Sequence, residues 1–200
     1  YAGFFGPDRN YTSNSDAGYF QLGDSLNRYN CPFPSIGQLR SNDVIDGQGS
    51  DSNASITGIN ITYNANVLYK MYVGKDSKPT SFINENNGTI SNLALINESV
   101  TGSNIVGGVV GVNNGSISNL FVSNGHIEGD KLVGGVAGVN AGSVDQLSND
   151  AISVVDGEEY VGGIIGFQLP KSDSIIIQNL TNNATVTGKK AVGGIVSMLR

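Results

Sequence analysis

The sequence predicts an all-β protein, a right-handed parallel β-helix (solenoid) of coils about 27 residues long with an N-terminal cap or flanking segment. Three observations carry this reading. A Val-Gly-Gly triplet opens at Val106, Val133, Val161 and Val192, at spacings of 27, 28 and 31 residues. A second element keeps step with it: NGTISNL from Asn87, NGSISNL from Asn114, AGSVDQL from Ala141 and SIIIQNL from Ser174. A third, an apolar–x–Gly step, recurs as VTG at Val100, IEG at Ile127, VDG at Val155 and VTG at Val186. Elements recurring in one order are one structural unit repeated. Three of them per unit match a coil with one short strand on each of three sides.

Helical repeats are excluded, because glycine recurs inside every apolar stretch and helices tolerate it poorly. In SISNLFV, Ile117 points inward, the chain bends at Asn119, and Leu120 and Val122 point inward again. The equivalent positions are Ile90, Val144 and Ile177, then Leu93, Leu147 and Leu180. Each inward residue rests on its counterpart one coil away, since a single coil cannot bury its inner face alone. Phe121 falls outward. The corner residues Asn92, Asn119, Gln146 and Asn179 are expected to stack as a ladder of amides, giving buried donors and acceptors partners along the axis. Paired glycines serve sharp turns and close backbone packing.

Eight of the fifteen aromatic residues precede residue 34, so the N-terminus is built differently. Residues 1–43 read as an aromatic-rich N-terminal cap or the end of a preceding module, and 44–200 as the β-helix domain, with clear repeats from about 84. Residues 44–83 read as one or two degenerate coils, with a strand in INITYN from Ile59. SFINENNG from Ser81 mimics the segment that ends in VGVNNG from Val110, which carries the register back. The chain starts at Tyr1 without Met and its last repeat is cut short, so it reads as a fragment or processed piece. The open end of the solenoid is then expected to be covered by further coils or a chain partner.

The net charge of −6 and the absence of a basic run argue against a nucleic-acid partner. No apolar run approaches the ~20 residues of a membrane-spanning helix. Cys31 is the only cysteine; it cannot form an internal disulfide and reads as a partly buried thiol. His126 is the only histidine and reads as a turn residue beside a glycine, which disfavours metal-triad or Ser–His chemistry. No Walker loop occurs, and no cofactor is implied. Carboxylates do not recur in register as they would in a β-helical lyase or glycosidase. Glu158 and Glu159 are adjacent, so they point to opposite sides of a strand and read as a solvated turn. Asp145 and Asp150 lie in one coil without counterparts, and DGQGSD from Asp46 is a single copy of a loop type that holds calcium only in arrays. Eight N-x-(S/T) triplets, at Asn10, Asn60 and Asn97 among others, follow from the composition. The outward column Ala94, Phe121, Ser148 and Thr181 lacks the threonine ladder of an ice-binding face.

The phrase VGG(I/V)(V/I/A)G followed by N-x-G-x-(I/V)-x-(N/Q)-L resembles the GLUG motif, a tandem repeat of large secreted and surface-anchored microbial proteins. The match is good at Val106–Leu120 and Val133–Leu147. It departs at Val161–Leu180, where FQLPKSDS interrupts the asparagine segment, and at Val192, where Ser197 replaces the final glycine. The resemblance covers roughly residues 84–197 and carries no catalytic residues over. It implies a β-helical stalk or adhesin region, or a repeat region ahead of an immunoglobulin-A-cutting metallopeptidase. The leading expectation is therefore a non-catalytic stalk or presentation segment of an adhesin, secreted or at the cell surface. An auxiliary region of a large secreted peptidase and a carbohydrate-active β-helix are the alternatives.

One place is singled out for binding. From the VGG valine to the next inward aliphatic is 11 residues from Val106 to Ile117 and from Val133 to Val144, but 16 from Val161 to Ile177. The extra residues are expected to bulge around Gln168, Leu169, Pro170, Lys171, Ser172 and Asp173, with Leu169 and Pro170 as an apolar tip and Lys171 and Asp173 as polar contacts. Solenoid insertions collect as loops and often carry recognition, here of a host-surface protein or glycan.

Overall fold

Apolar side chains at alternate positions, interrupted at fixed intervals by Gly and Asn, make short strands that turn a corner before they can lengthen. A computed structural model describes residues 19–21, 36–46, 55–57, 60–62, 79–169 and 174–200, which form strands and turns and no helix. The strands stack in parallel as three sheets. The first sheet holds β1 (Tyr19–Gln21), β3 (Val44–Asp46), β7 (Thr89–Ile96), β11 (Ser116–Ser123), β14 (Ser143–Asn149) and β17 (Ile177–Asn182), with β4 (Ser55–Thr57) also on β7. The second runs through β2 (Ile36–Leu39), β6 (Ile83–Asn86), β10 (Val110–Asn113), β13 (Ala137–Asn140), β16 (Ile165–Gln168) and β20 (Val196–Leu199). The third contains β5 (Asn60–Thr62), β8 (Ser99–Thr101), β9 (Val106–Gly107), β12 (His126–Gly134), β15 (Val154–Gly162), β18 (Thr185–Thr187) and β19 (Lys190–Gly193). The chain is a parallel β-solenoid of about four turns, with coils of about 28 residues.

The register follows the repeat. Ile117 pairs with Ile90 on one side and Val144 on the other, and Val144 pairs with Ile177. Leu120 lies between Leu93 and Leu147. All of these except the last-coil Ile177 are buried, while Phe121, the outward neighbour, is 41 % exposed. The first three VGG valines and the first three apolar–x–Gly residues form a second, smaller core of Val100, Val106, Ile127, Val133, Val155 and Val161, while Val192 of the last coil is exposed. INENNG does sit in register with VGVNNG: Ile83 pairs with Val110 and Asn86 with Asn113. Parallel pairing also reaches below residue 44, since β2 lies on β6 with Ile36 opposite Ile83. Most of the aromatic N-terminal segment, Cys31 and Asn10 included, lies outside the described residues.

The corners explain the asparagines. Asn92, Asn119, Gln146 and Asn179 have φ of 54, 48, 54 and 54°, the left-handed region in which Asn is the least strained side chain. The amides stack there only in part: Asn119 Nδ2 donates to Asn92 Oδ1 at 2.8 Å and Asn92 Nδ2 to Asp46 Oδ1 at 2.9 Å. At the other end Asn179 Nδ2 turns to Asp145 Oδ1, at 2.8 Å. This column is a surface feature, correcting the expectation of a buried one. A bend that swings the chain outward leaves its side chain in water.

The buried ladder stands at the adjacent corner. Asn86 Nδ2 donates to Asn113 Oδ1 at 2.7 Å, Asn113 Nδ2 to Asn140 Oδ1 at 2.7 Å, and Asn140 Nδ2 to Gln168 Oε1 at 2.8 Å. Gln168 ends the column by donating to the Leu169 carbonyl at 2.9 Å. The three asparagines have no exposed surface, so each amide finds its partner one coil away instead of in water. The signal was present in the sequence as Asn at a spacing of 27, then Gln at 28. Far-ultraviolet circular dichroism is expected to show β-structure with almost no helix. A helix content above about a quarter would contradict this fold.

Candidate functional site

In two successive coils the passage from the second sheet to the first is minimal. Asn114 and Gly115 join β10 to β11, and Ala141 and Gly142 join β13 to β14. Residues 169–176, eight in all, join β16 to β17. The inserted loop leaves the coil later than its sequence suggests. Gln168 is the last residue of β16, 2 % exposed and hydrogen-bonded in the amide ladder, so it belongs to the core and not to the bulge. Its longer side chain substitutes for the Asn of earlier coils and still reaches Asn140. Leu169 keeps the coil's path, its N–H donating to the Asn140 carbonyl at 2.9 Å as Ala141 does to Asn113 at 2.7 Å.

The chain rejoins the coil at Ile176. Its N–H donates to Ser143 Oγ at 3.1 Å and its carbonyl accepts from the Val144 N–H at 2.8 Å. Leu169 and Ile176, 36 % and 51 % exposed, therefore flank the base of the loop with two apolar side chains in water. Pro170, Lys171, Ser172 and Asp173 lie outside the described residues.

Elsewhere the charged groups tie coil to coil. Glu159 is approached by Lys190 Nζ at 3.3 Å and Lys131 Nζ at 3.7 Å; the Lys190 hydrogen bond, aided by both lysine charges, holds its carboxyl below the usual range. Glu158 is paired with Lys189 and Asp156 accepts the Thr187 hydroxyl at 2.6 Å. Asn179 and Gln178 donate to Asp145, at 2.8 and 3.1 Å, and lower its pKa in that order. For Asp150, burial opposes ionisation, but the hydroxyls of Ser123 and Ser153 and two backbone amides outweigh it and bring the pKa down. Glu158 and Glu159 thus lie within β15, not in a turn, and each faces a lysine of the next coil. His126 likewise opens strand β12, opposite Ser99 and Val154, with its side chain in solvent 3.9 Å from Glu128. The turn signal next to it is spent one residue earlier, at Gly125. Asp46, which opens DGQGSD, accepts from Asn92. Among the described residues no group of three or more His, Cys, Asp or Glu side chains gathers to hold a metal.

No family model, no curated protein and no solved structure matches the chain.

Proposed function

We propose that this chain is a non-catalytic stalk segment of a secreted or surface-anchored microbial adhesin of the GLUG-repeat type, and that the β16–β17 loop is its binding element. One observation carries the reading. The coil path is conserved from one turn to the next in strand register, core side chains and amide ladder, and the longest departure from it after residue 79 is the loop between Gln168 and Ile177. Coils rising ~4.8 Å each make a stiff rod, because every strand is paired along the axis. A rod of this kind serves as a spacer. The residues Leu169 to Ile176 then meet a host-surface protein or glycan, with apolar side chains at the loop base and Lys171 and Asp173 supplying polar contacts.

The test is to shorten the loop by five residues. The melting temperature is expected to stay within about 2 °C, since the ladder and the strands beneath are complete without the loop. Binding to host cells or to an array of host glycans is expected to disappear. Binding that survives unchanged would refute the loop as the binding element, and a chain that unfolds would show the loop to be core.

A further inference from the structure

Two carboxylates are buried among the described residues, and the fold treats them differently. Asp43 accepts the Arg40 N–H at 2.9 Å. Glu98, in the turn between β7 and β8, is 1 % exposed, and neither of its oxygens meets a hydrogen-bond donor among the described residues. Its niche exists because two neighbours are glycine. A Cβ on Gly108 would stand 2.5 Å from Glu98 Oε1, and one on Gly125 would stand 3.2 Å from it. Ile127 Cδ1 and Val122 Cγ1 crowd the same two glycines, at 3.0 and 2.9 Å from those Cβ positions, and the Gly135 carbonyl oxygen stands closer still to the first, so the niche holds apolar side chains and an acceptor but no donor. In the following coils the Glu98 position is taken by Gly125 and then Ser153, as the ladder His126 N–H to Glu98 carbonyl, Val154 to Gly125 and Thr185 to Ser153 shows.

Among the described residues no charged group answers Glu98. From β12, His126 and Glu128 point to solvent, each side chain 54 % exposed. From the β14–β15 turn, Asp150 is engaged by Ser123 and Ser153. In the third sheet the coil that follows Glu98 is less continuous than the next two, and the last coil is split likewise into β18 and β19. β12 and β15 are unbroken strands of nine residues, whereas after Glu98 the same path is split into β8 of three residues and β9 of two.

We propose that Glu98 is a proton-operated latch: protonated, its carboxyl fills the niche between Gly108 and Gly125 as a neutral group, and on ionisation it must reach water, which opens the β8–β9 coil. Burial pushes this carboxyl from 4.5 up to about 8. The closed coil therefore holds the proton more tightly than the open one. The latch is fully set below about pH 4.5, weakens about tenfold per pH unit above it, and is released as the pH passes about 8.

Amide hydrogen exchange of Val100, Gly102 and Gly107 in the whole chain, corrected for base-catalysed intrinsic exchange, tests this. Protection is expected to fall about tenfold per pH unit between pH 5 and 8 in the native protein and to stay flat in Glu98→Gln. Protection independent of pH in the native protein, or the same fall in Glu98→Gln, would overturn the latch. Should Glu98→Gln fail to fold, carbon-13 titration of the Glu98 carboxyl in the native chain decides. A midpoint near 8 supports the proposal, and one in the ordinary carboxylate range overturns it.

Discussion

Replacing Asn113 by Leu is expected to destabilise the solenoid by ~2–6 kcal/mol, although the substitution leaves no cavity and adds apolar surface to a fully buried site. The reason lies in its neighbours. Asn113 Oδ1 accepts from Asn86 at 2.7 Å, and its Nδ2 donates to Asn140 at 2.7 Å. Removing the amide strands a donor on one coil and an acceptor on the next, and each buried orphan costs about 1–3 kcal/mol. Asn119→Gly is the control, because it removes an exposed amide of the surface column while keeping the left-handed φ of 48° accessible. It is expected to change stability by about 0.5 kcal/mol or less. Denaturant unfolding of the two variants makes the comparison. Equal effects would show that the inner ladder is not shielded from water.

The second large effect is expected at Leu120. Its side chain is 2 % exposed and held between Leu93 at 3 % and Leu147 at 0 %. Coils above and below are fixed by their own strand pairing and cannot collapse into the space left by truncation. Leu120→Ala is thus expected to cost ~2–5 kcal/mol, the range for a core leucine that leaves a cavity. Phe121 is the larger residue, but it points out of the coil at 41 % exposure, between Ala94 and Ser148. Phe121→Ala is expected to cost much less. Thermal or denaturant unfolding of the pair checks the assignment of faces, and comparable losses at both positions would reverse it.

Much of the architecture was legible in the residues alone. Three elements per repeat became three sheets, and a fixed spacing of 27 residues became the register Ile90–Ile117–Val144 and Leu93–Leu120–Leu147. Such information survives in one dimension because a coil must place like residues over like. The counting also located the inserted loop between β16 and β17, since extra residues cannot be absorbed by a coil pinned on both sides.

What depends on the direction of a side chain at a corner was not legible. Asn113 and Asn119 are six residues apart in one coil, and each has an amide side chain 27 residues before and after it. One column is buried and the other is in water, because a left-handed φ at Asn119 turns its side chain out, while Asn113 ends a strand whose last side chain points in. Gln168 reads as loop until Asn140, 28 residues earlier, is placed beside it. Nothing in the sequence marks Glu98, whose niche is made by Gly108 farther round the same coil and by Gly125 from the next. The period along the chain sets which residues stack. Whether a stacked polar group lies inside or outside is set by corner dihedrals and by neighbours a full coil away, and these exist only once the coils are wound.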